Sequence, residues 1–403
     1  MRIVTDMIAS AGSLNSKSAY YIALDGLRAV AVIMVFFQHY GAGRSFLFGW
    51  GWTGVDIFFV LSGFLITGIL FDSQNKLHRY RDFYMRRTLR IFPLYYFVWG
   101  IILILTPFAL WHWNWRWALW PAYLGNYARF FFLHQAGDPY RFDRLTFGPR
   151  VSGWFGYPVH LYIGHFWSLC VEEQFYLVWP FVVYQVRKRE TLIKICVAVI
   201  VLSPILRGAL SLSLSHQMLH MELFYRSLPT RLDALLIGGF VALSLRGPEQ
   251  TVLRRIRRPL LLVSALLFVG FYLISVKLLV LPFEGSASTW IGVFGFTLID
   301  VFAAALILEC IHPGSFLGNA LSWKPLRSLG LISCGFYVYH DLLHDFYSDC
   351  AHRFSPDYSY PVTLFIAFSA TLLIAAASYH LIERPLLKLK SHFTGQRHVA
   401  PTT

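Results

Sequence analysis

The chain has 403 residues, of which 56% are hydrophobic, 18% aromatic and only 14% charged, with a mean hydropathy of +0.53. That balance is too apolar for a soluble domain of this length, so the chain reads as an integral membrane protein. The formal charge of +14 does not point to nucleic acid, because it is gathered in clusters beside apolar segments.

The apolar segments are long runs closed by Arg and Lys, not the alternating stretches of about ten residues that build an outer-membrane barrel. An all-α, polytopic transmembrane helical bundle is therefore expected. Taking about 20 apolar residues per span, about ten spans are predicted, near residues 24–42, 54–71, 91–110, 165–186, 192–212, 228–245, 259–281, 290–311, 329–350 and 361–382. The basic clusters lie at 76–90, 187–194, 246–258 and 384–397, and the positive-inside rule puts them, with both termini, in the cytoplasm. The predicted organisation is a cytoplasmic N-terminal segment (1–23), one membrane domain (24–383) and a cytoplasmic tail (384–403). The first apolar run is followed by no small-residue cleavage site and is read as a retained span. The localisation expected is a multi-pass position in a bacterial plasma membrane.

The first span, "LDGLRAVAVIMVFFQHY" (24–40), holds Arg28 and His39. An ionisable group at the centre of a span costs ~2.5–3.5 kcal/mol on insertion scales. Eleven positions at 100° per residue put the two on one helix face, about 16 Å apart along the axis. They read either as separately satisfied polar groups or as the lining of a cavity in which a neutral imidazole serves as general base.

"WTGVDIFFVLSGFLITGIL" (52–70) follows, with Gly54, Gly63 and Gly68 allowing close helix approach and Asp56 placed as a helix cap near the outer interface. At the start of the third span, "YMRRTLRIFP" (84–93) spaces Arg87 and Arg90 at i, i+3 and Arg86 and Arg90 at i, i+4. Guanidinium forks gathered this way suit phosphate oxygens, although topology or lipid headgroups explain them equally well. The loop 111–164 opens with a Trp-rich belt, and an interfacial or re-entrant helix is predicted near 117–133. In "HFWSLCVEEQFYLVWP" (165–180), Glu172 falls on roughly one face with His165, Ser168 and Tyr176, whereas Glu173 does not. Glu172 serves either that face or an assembly-only ion pair with an intramembrane Arg. The five cysteines are odd in number and mostly lie in apolar runs, which suggests packing residues and no disulfide framework or metal site.

Together these stretches resemble the acyltransferase-3 family of polytopic membrane acyltransferases. The resemblance rests on "LDGLRAVAVIMVFFQH", "GVDIFFVLSGFLI", "RRTLRIFPLYY", "HFWSLCVEEQFYLVWP", "ISCGFYVYHDLL" and "YHLIERPLLKL" in this order. It implies transfer of an acyl group, usually acetyl, from cytoplasmic acetyl-CoA to a hydroxyl of a saccharide or lipid-linked glycan at a membrane lipid surface. It further implies Arg28 and His39 as the essential pair, Glu172 as the carboxylate of the Trp-Ser-Leu-x-x-Glu motif, Arg87 and Arg90 as ligands of the donor phosphates, and His340 in the later Tyr-x-x-His stretch. Arg86 is a third candidate for the phosphates, and Ser168, Tyr176 and His340 are candidates for the substrate cavity. No tightly bound cofactor and no metal are expected, with acetyl-CoA as donor substrate.

Ser333-Cys334 departs from the family's usual Ser-Tyr, leaving Tyr337 and Tyr339 as the nearby phenols. Many relatives carry a further extracytoplasmic SGNH-type domain, whereas this sequence stops some twenty residues after its last predicted span, so the membrane domain is expected to handle the acceptor. The rival reading, a transporter or flippase for a lipid-linked or sugar substrate, also explains intramembrane Arg, His and Glu, but no repeated halves or paired broken helices accompany them.

Overall fold

The computed structural model describes residues 21–41, 46–108, 115–128, 143–146, 160–213, 223–278, 289–355 and 359–393. The predicted N-terminal segment up to residue 20, the stretch 148–158 and Arg397 lie outside them. Helix α1 spans Ile22–Gly41, α2 Thr53–Asp72 and α3 Arg79–Leu105. A two-stranded antiparallel sheet follows, β1 (Arg144–Thr146) on β2 (His160–Tyr162), with Arg144 opposite Tyr162 and Thr146 opposite His160. Then come α4 (Trp167–Val186), α5 (Arg189–Ser213), α6 (Leu228–Ser244), α7 (Glu249–Leu278) and α8 (Thr289–Cys310). The chain continues through α9 (Phe316–Leu321), α10 (Lys324–Leu331), α11 (Ser333–Leu342), α12 (His344–Phe354), α13 (Ser359–Ser378) and α14 (Arg384–Lys388).

Among the described residues, seven helices are long and apolar enough to cross a membrane: Ile22–Gly41, Thr53–Asp72, Arg79–Leu105, Arg189–Leu212, Glu249–Ile274, Gly292–Cys310 and Tyr360–Phe393. The protein is a multi-pass integral membrane protein. Its outer faces agree: Leu262, Val263, Leu266, Leu267, Leu273 and Ile274 of α7 all stand exposed, a face suited to lipid. Helix α2, apolar all round, is the buried centre, packed against α6, α1, α8 and α4. Its closest approach is to α6, where glycines face each other's backbone. A Cβ on Gly63 would fall onto the Leu235 carbonyl and one on Gly238 onto the Val60 carbonyl, so both must be Gly.

Polar contacts tie the basic clusters to one end of the bundle. Arg246 grips Asp72 through Nε (2.7 Å) and Nη2 (2.6 Å), Arg189 Nη1 reaches Glu249 at 2.7 Å, and the Arg81 guanidinium lies 6.0 Å from the Phe393 ring centre.

Three expectations need correction. The predicted span 329–350 is three short helices, α10, α11 and α12, broken at Ile332 and Leu343. The second break frees carbonyls at the end of α11, and the Tyr40 hydroxyl donates to that of His340 at 2.7 Å. The predicted interfacial helix 117–133 is, where described, a pair of 3-10 turns, Trp115–Leu119 and Gly125–Tyr127, with the Tyr95 hydroxyl holding the Trp120 carbonyl at 2.5 Å. Asp56 does not cap α2; it is fully buried and ion-paired with Arg231 of α6. The cysteines are all free, with Cys170, Cys196 and Cys310 buried as packing residues but Cys350 exposed.

Candidate active site

Two cavities meet inside the bundle. The first gathers cations. Arg28 from α1, Arg87 and Arg90 from α3, Ser168, Glu172 and Tyr176 from α4, and Ser333, Cys334 and Tyr337 from α11 line a space of about 100 Å³. Arg28 is held by the buried Asp25 one turn earlier, Nη1 to Oδ1 at 3.2 Å. The Arg87 guanidinium lies 5.1 Å from the Tyr176 ring centre, and the Tyr176 hydroxyl is hydrogen-bonded to Ser62. That cation–π contact leaves the guanidinium N–H groups at the ring edge available for an anion. Arg86 turns elsewhere: its Nε donates to the Asp82 carbonyl at 2.9 Å, and it does not line the cavity.

The second cavity, about 310 Å³, gathers imidazoles. His39 from the far end of α1, His165 from the turn before α4, and Tyr337 and Asp341 from α11 line it, together with Trp52, Trp167, Tyr162, Tyr225, Arg144 and Arg226. The β1–β2 pair builds one wall. The Asp143 carbonyl accepts from the Ile163 and Gly164 amides at 2.7 and 3.0 Å, and this fixes the turn that presents His165.

Backbone carbonyls decide the tautomers. A carbonyl only accepts, so a ring nitrogen facing one must carry a proton. His340 Nδ1 lies 2.6 Å from the Tyr337 carbonyl and is therefore N–H, leaving Nε2 as an acceptor. His39 Nδ1 lies 3.0 Å from the Val35 carbonyl and 3.1 Å from His340 Nε2 and donates between them. The lone pair of a neutral His39 is thus on Nε2, which lies 3.8 Å from Asp341 Oδ2. His165 Nε2 lies 3.0 Å from the Val338 carbonyl, and its Nδ1 lies 3.3 Å from Asp341 Oδ2. With Nε2 protonated, that second contact is favourable only when a proton also sits between Nδ1 and the carboxylate. The site therefore holds one free imidazole lone pair, on His39 Nε2, with His165 Nδ1 and Asp341 Oδ2 standing 3.3 Å apart beside it. Among the described residues no three His, Cys, Asp or Glu side chains are disposed to hold a metal ion.

Tyr337 and Val55 line both cavities. The Tyr337 hydroxyl donates to the His165 carbonyl at 2.6 Å and so accepts from Ser168 Oγ, also at 2.6 Å. A long ligand reaching from the arginines toward His39 would pass this hydroxyl.

The acyltransferase domain family called acyltransferase-3 matches residues 21–380. The chain belongs to this family. YrhL of Bacillus subtilis is 32% identical over 91% of this chain and 55% of its own length. The peptidoglycan O-acetyltransferase OatA of Listeria monocytogenes is 30% identical over 80% of this chain and 49% of its own, and the O-acetyltransferase OatA of Staphylococcus aureus 28% over 92% and 57%. The chain thus spans about half the length of the curated relatives it matches. No solved structure matches it.

Of the residues singled out in the sequence, the acyltransferase-3 domain brings Arg28, Arg87, Arg90, Ser168, Glu172 and Tyr176 to one cavity, and His39 to the adjoining one with His340 at its back. Asp341 and His165, which line the second cavity, are not among the residues that the sequence singles out for a role. Their signal was present in "YHDLL" and "GHFWSL", where a His and an Asp interrupt apolar runs, but no spacing links residues 165 and 341.

Proposed function

We propose that the protein is a membrane O-acyltransferase that moves an acyl group, acetyl in the first instance, from cytoplasmic acyl-CoA to a hydroxyl of a cell-envelope glycan. The acceptor class follows the names of the OatA relatives, which makes a peptidoglycan-type glycan the first to test. The observation that carries the reading is the pair of abutting cavities: one lined by cations fit for phosphates, the other by a base and aromatic rings fit for a sugar, with Tyr337 and Val55 common to both.

In this reading Arg87 and Arg90 hold the donor phosphates at the cytoplasmic mouth and the pantetheine arm runs toward Tyr337. The acceptor sits among Trp52, Trp167 and Tyr225. His39 Nε2 takes the hydroxyl proton as the oxygen attacks the thioester carbonyl; the tetrahedral oxyanion collapses, the C–S bond breaks, and the CoA thiolate takes the proton back from the imidazolium. His340 keeps the lone pair on Nε2 by accepting from Nδ1–H. Ser168, Tyr176 and Arg28 line the donor cavity, and one of them would stabilise the developing charge or the donor.

The test is transfer of labelled acetyl from acetyl-CoA to a glycan acceptor by the purified full chain in lipid nanodiscs. Label should appear on the acceptor with the wild type and fall by about 10²–10⁴-fold with His39→Gln while donor binding persists. Full transfer by folded His39→Gln would remove the base from the mechanism.

A further inference from the structure

The acceptor cavity has a charged corner that takes no part in the proton transfer described above. Asp143, just before β1, and Arg226, just before α6, both line that cavity and are both buried, with Arg226 Nη1 on Asp143 Oδ2 at 3.1 Å. Each is fixed from behind. The Asp143 carboxylate lies against the turn that presents His165, where a Cβ on Gly164 would stand 2.9 Å from Oδ2. The Arg226 carbonyl accepts from Asn126 Nδ2 at 3.0 Å, and Asn126 Oδ1 accepts in turn from Gln174 Nε2 of α4 at 2.8 Å. For assembly alone, a buried ion pair gains little over apolar residues of the same volume.

The corner adjoins an aromatic surface. Tyr225, the residue before Arg226, packs on Trp167 with ring centres 4.6 Å apart, and both rings line the same cavity. Aromatic faces are negative and attract the C–H face of a pyranose, whose polar substituents then project from the ring edge. A guanidinium carries several N–H donors and a carboxylate several lone pairs, so the two can grip each other and a sugar at once. The cavity's guanidiniums and carboxylates balance, Arg144 and Arg226 against Asp143 and Asp341, which suits a sugar ring without charge of its own. We infer that Asp143 and Arg226 form the polar subsite for the acceptor, reading two neighbouring substituents of an uncharged pyranose stacked on Trp167 and Tyr225. One substituent is a hydroxyl that donates to Asp143; the other presents an oxygen that accepts from Arg226. This rests on the acceptor reading given above.

The test measures acetyl transfer by the purified full chain in nanodiscs to methyl N-acetyl-β-glucosaminide, to its monodeoxy analogues and to methyl glucuronide. With the wild type, loss of either of two neighbouring substituents should raise the acceptor KM about tenfold, the cost of a hydrogen bond to a charged group. Asp143→Asn and Arg226→Gln should each raise the acceptor KM for the parent glycoside by a similar factor, hold the donor KM, and cease to distinguish the matching deoxy analogue. Arg226→Lys should recover part of the discrimination. Asp143→Leu with Arg226→Met replaces the pair by apolar residues, should fold, and should lose the discrimination altogether. Discrimination retained by that folded double variant, or an unchanged acceptor KM in both single variants, overturns the assignment while leaving the acceptor reading intact. A preference for the glucuronide that Arg226→Gln abolishes would make the pair an anion site and also overturns it. A wild type that acetylates none of the glycosides overturns both.

Discussion

His39 and His340, 301 positions apart in sequence, share one proton line: His39 Nδ1 lies 3.1 Å from His340 Nε2, and His340 Nδ1 lies 2.6 Å from the Tyr337 carbonyl. The consequence is that the proton of a neutral His39 is anchored on the side away from the acceptor cavity. Because Nε2 must be unprotonated to act, kcat/KM for transfer should fall as the pH drops through the range in which imidazole titrates.

His340→Ala removes that anchor without touching the reacting atoms. We expect kcat to fall by roughly tenfold, less than the loss for His39→Gln, since the Val35 carbonyl still accepts from Nδ1. The donor KM should be unchanged. His340→Gln, whose side-chain oxygen can accept in place of Nε2, should recover part of the rate. A loss in both variants as deep as that of His39→Gln would make His340 itself a catalytic group.

Arg87→Gln and Arg90→Gln should raise the donor KM by about five- to tenfold each, as expected for a charge-assisted hydrogen bond worth ~1.5–3 kcal/mol less what water returns. Arg86→Gln should change it little, because that side chain is spent on the Asp82 carbonyl. Donor titrations of the three variants in parallel give the comparison; equal effects at Arg86 and Arg87 would mean that overall charge, not the cavity lining, binds the donor.

The difference between Arg86 and Arg87 also marks how far the sequence could be read. Arg28, His39, Glu172 and the Arg87–Arg90 pair stand out because ionisable groups in apolar runs are costly, and helical periodicity places those that share a helix. What periodicity cannot supply is which groups meet across the bundle. Asp56 read as a cap because it follows the turn by a few residues, yet its partner Arg231 is 175 positions away. The break at Leu343 carries no Gly or Pro, so α11 and α12 read as one span. The β1–β2 pair has three residues per strand, too few for alternation to register.

The α2–α6 crossing gives a test of packing that does not touch the site. Gly238→Ala places a methyl against the Val60 carbonyl, where backbone rather than a flexible side chain must move. A cost of ~1–3 kcal/mol is expected for such overpacking. It should appear as a lowered unfolding temperature in detergent, whereas Gly100→Ala on α3, with nothing within 4 Å of the added Cβ, should leave that temperature unchanged or slightly raised.

A charged cluster beside that crossing makes a sharper prediction. Arg207 of α5 is fully buried, with Nη2 on Asp233 Oδ2 at 2.8 Å and on Thr297 Oγ1 at 2.7 Å, and Nη1 on the Thr230 carbonyl at 2.5 Å. Removing one partner strands the other, so Arg207→Met should cost ~3–5 kcal/mol, while Arg207→Met with Asp233→Leu should recover much of it. Asp300 of α8 is the opposite case. It is fully buried beside Asp233, and neither of its carboxyl oxygens has a hydrogen-bond partner. It faces the Asp233 carboxylate and also the Arg231 and Arg207 guanidiniums, so the repulsion and the attraction offset each other and Asp300→Asn should change the unfolding temperature little. Thermal unfolding of the four proteins in one detergent separates the cases. A double variant no more stable than Arg207→Met would show that the helices are held by the ion pair itself and not by the packing around it.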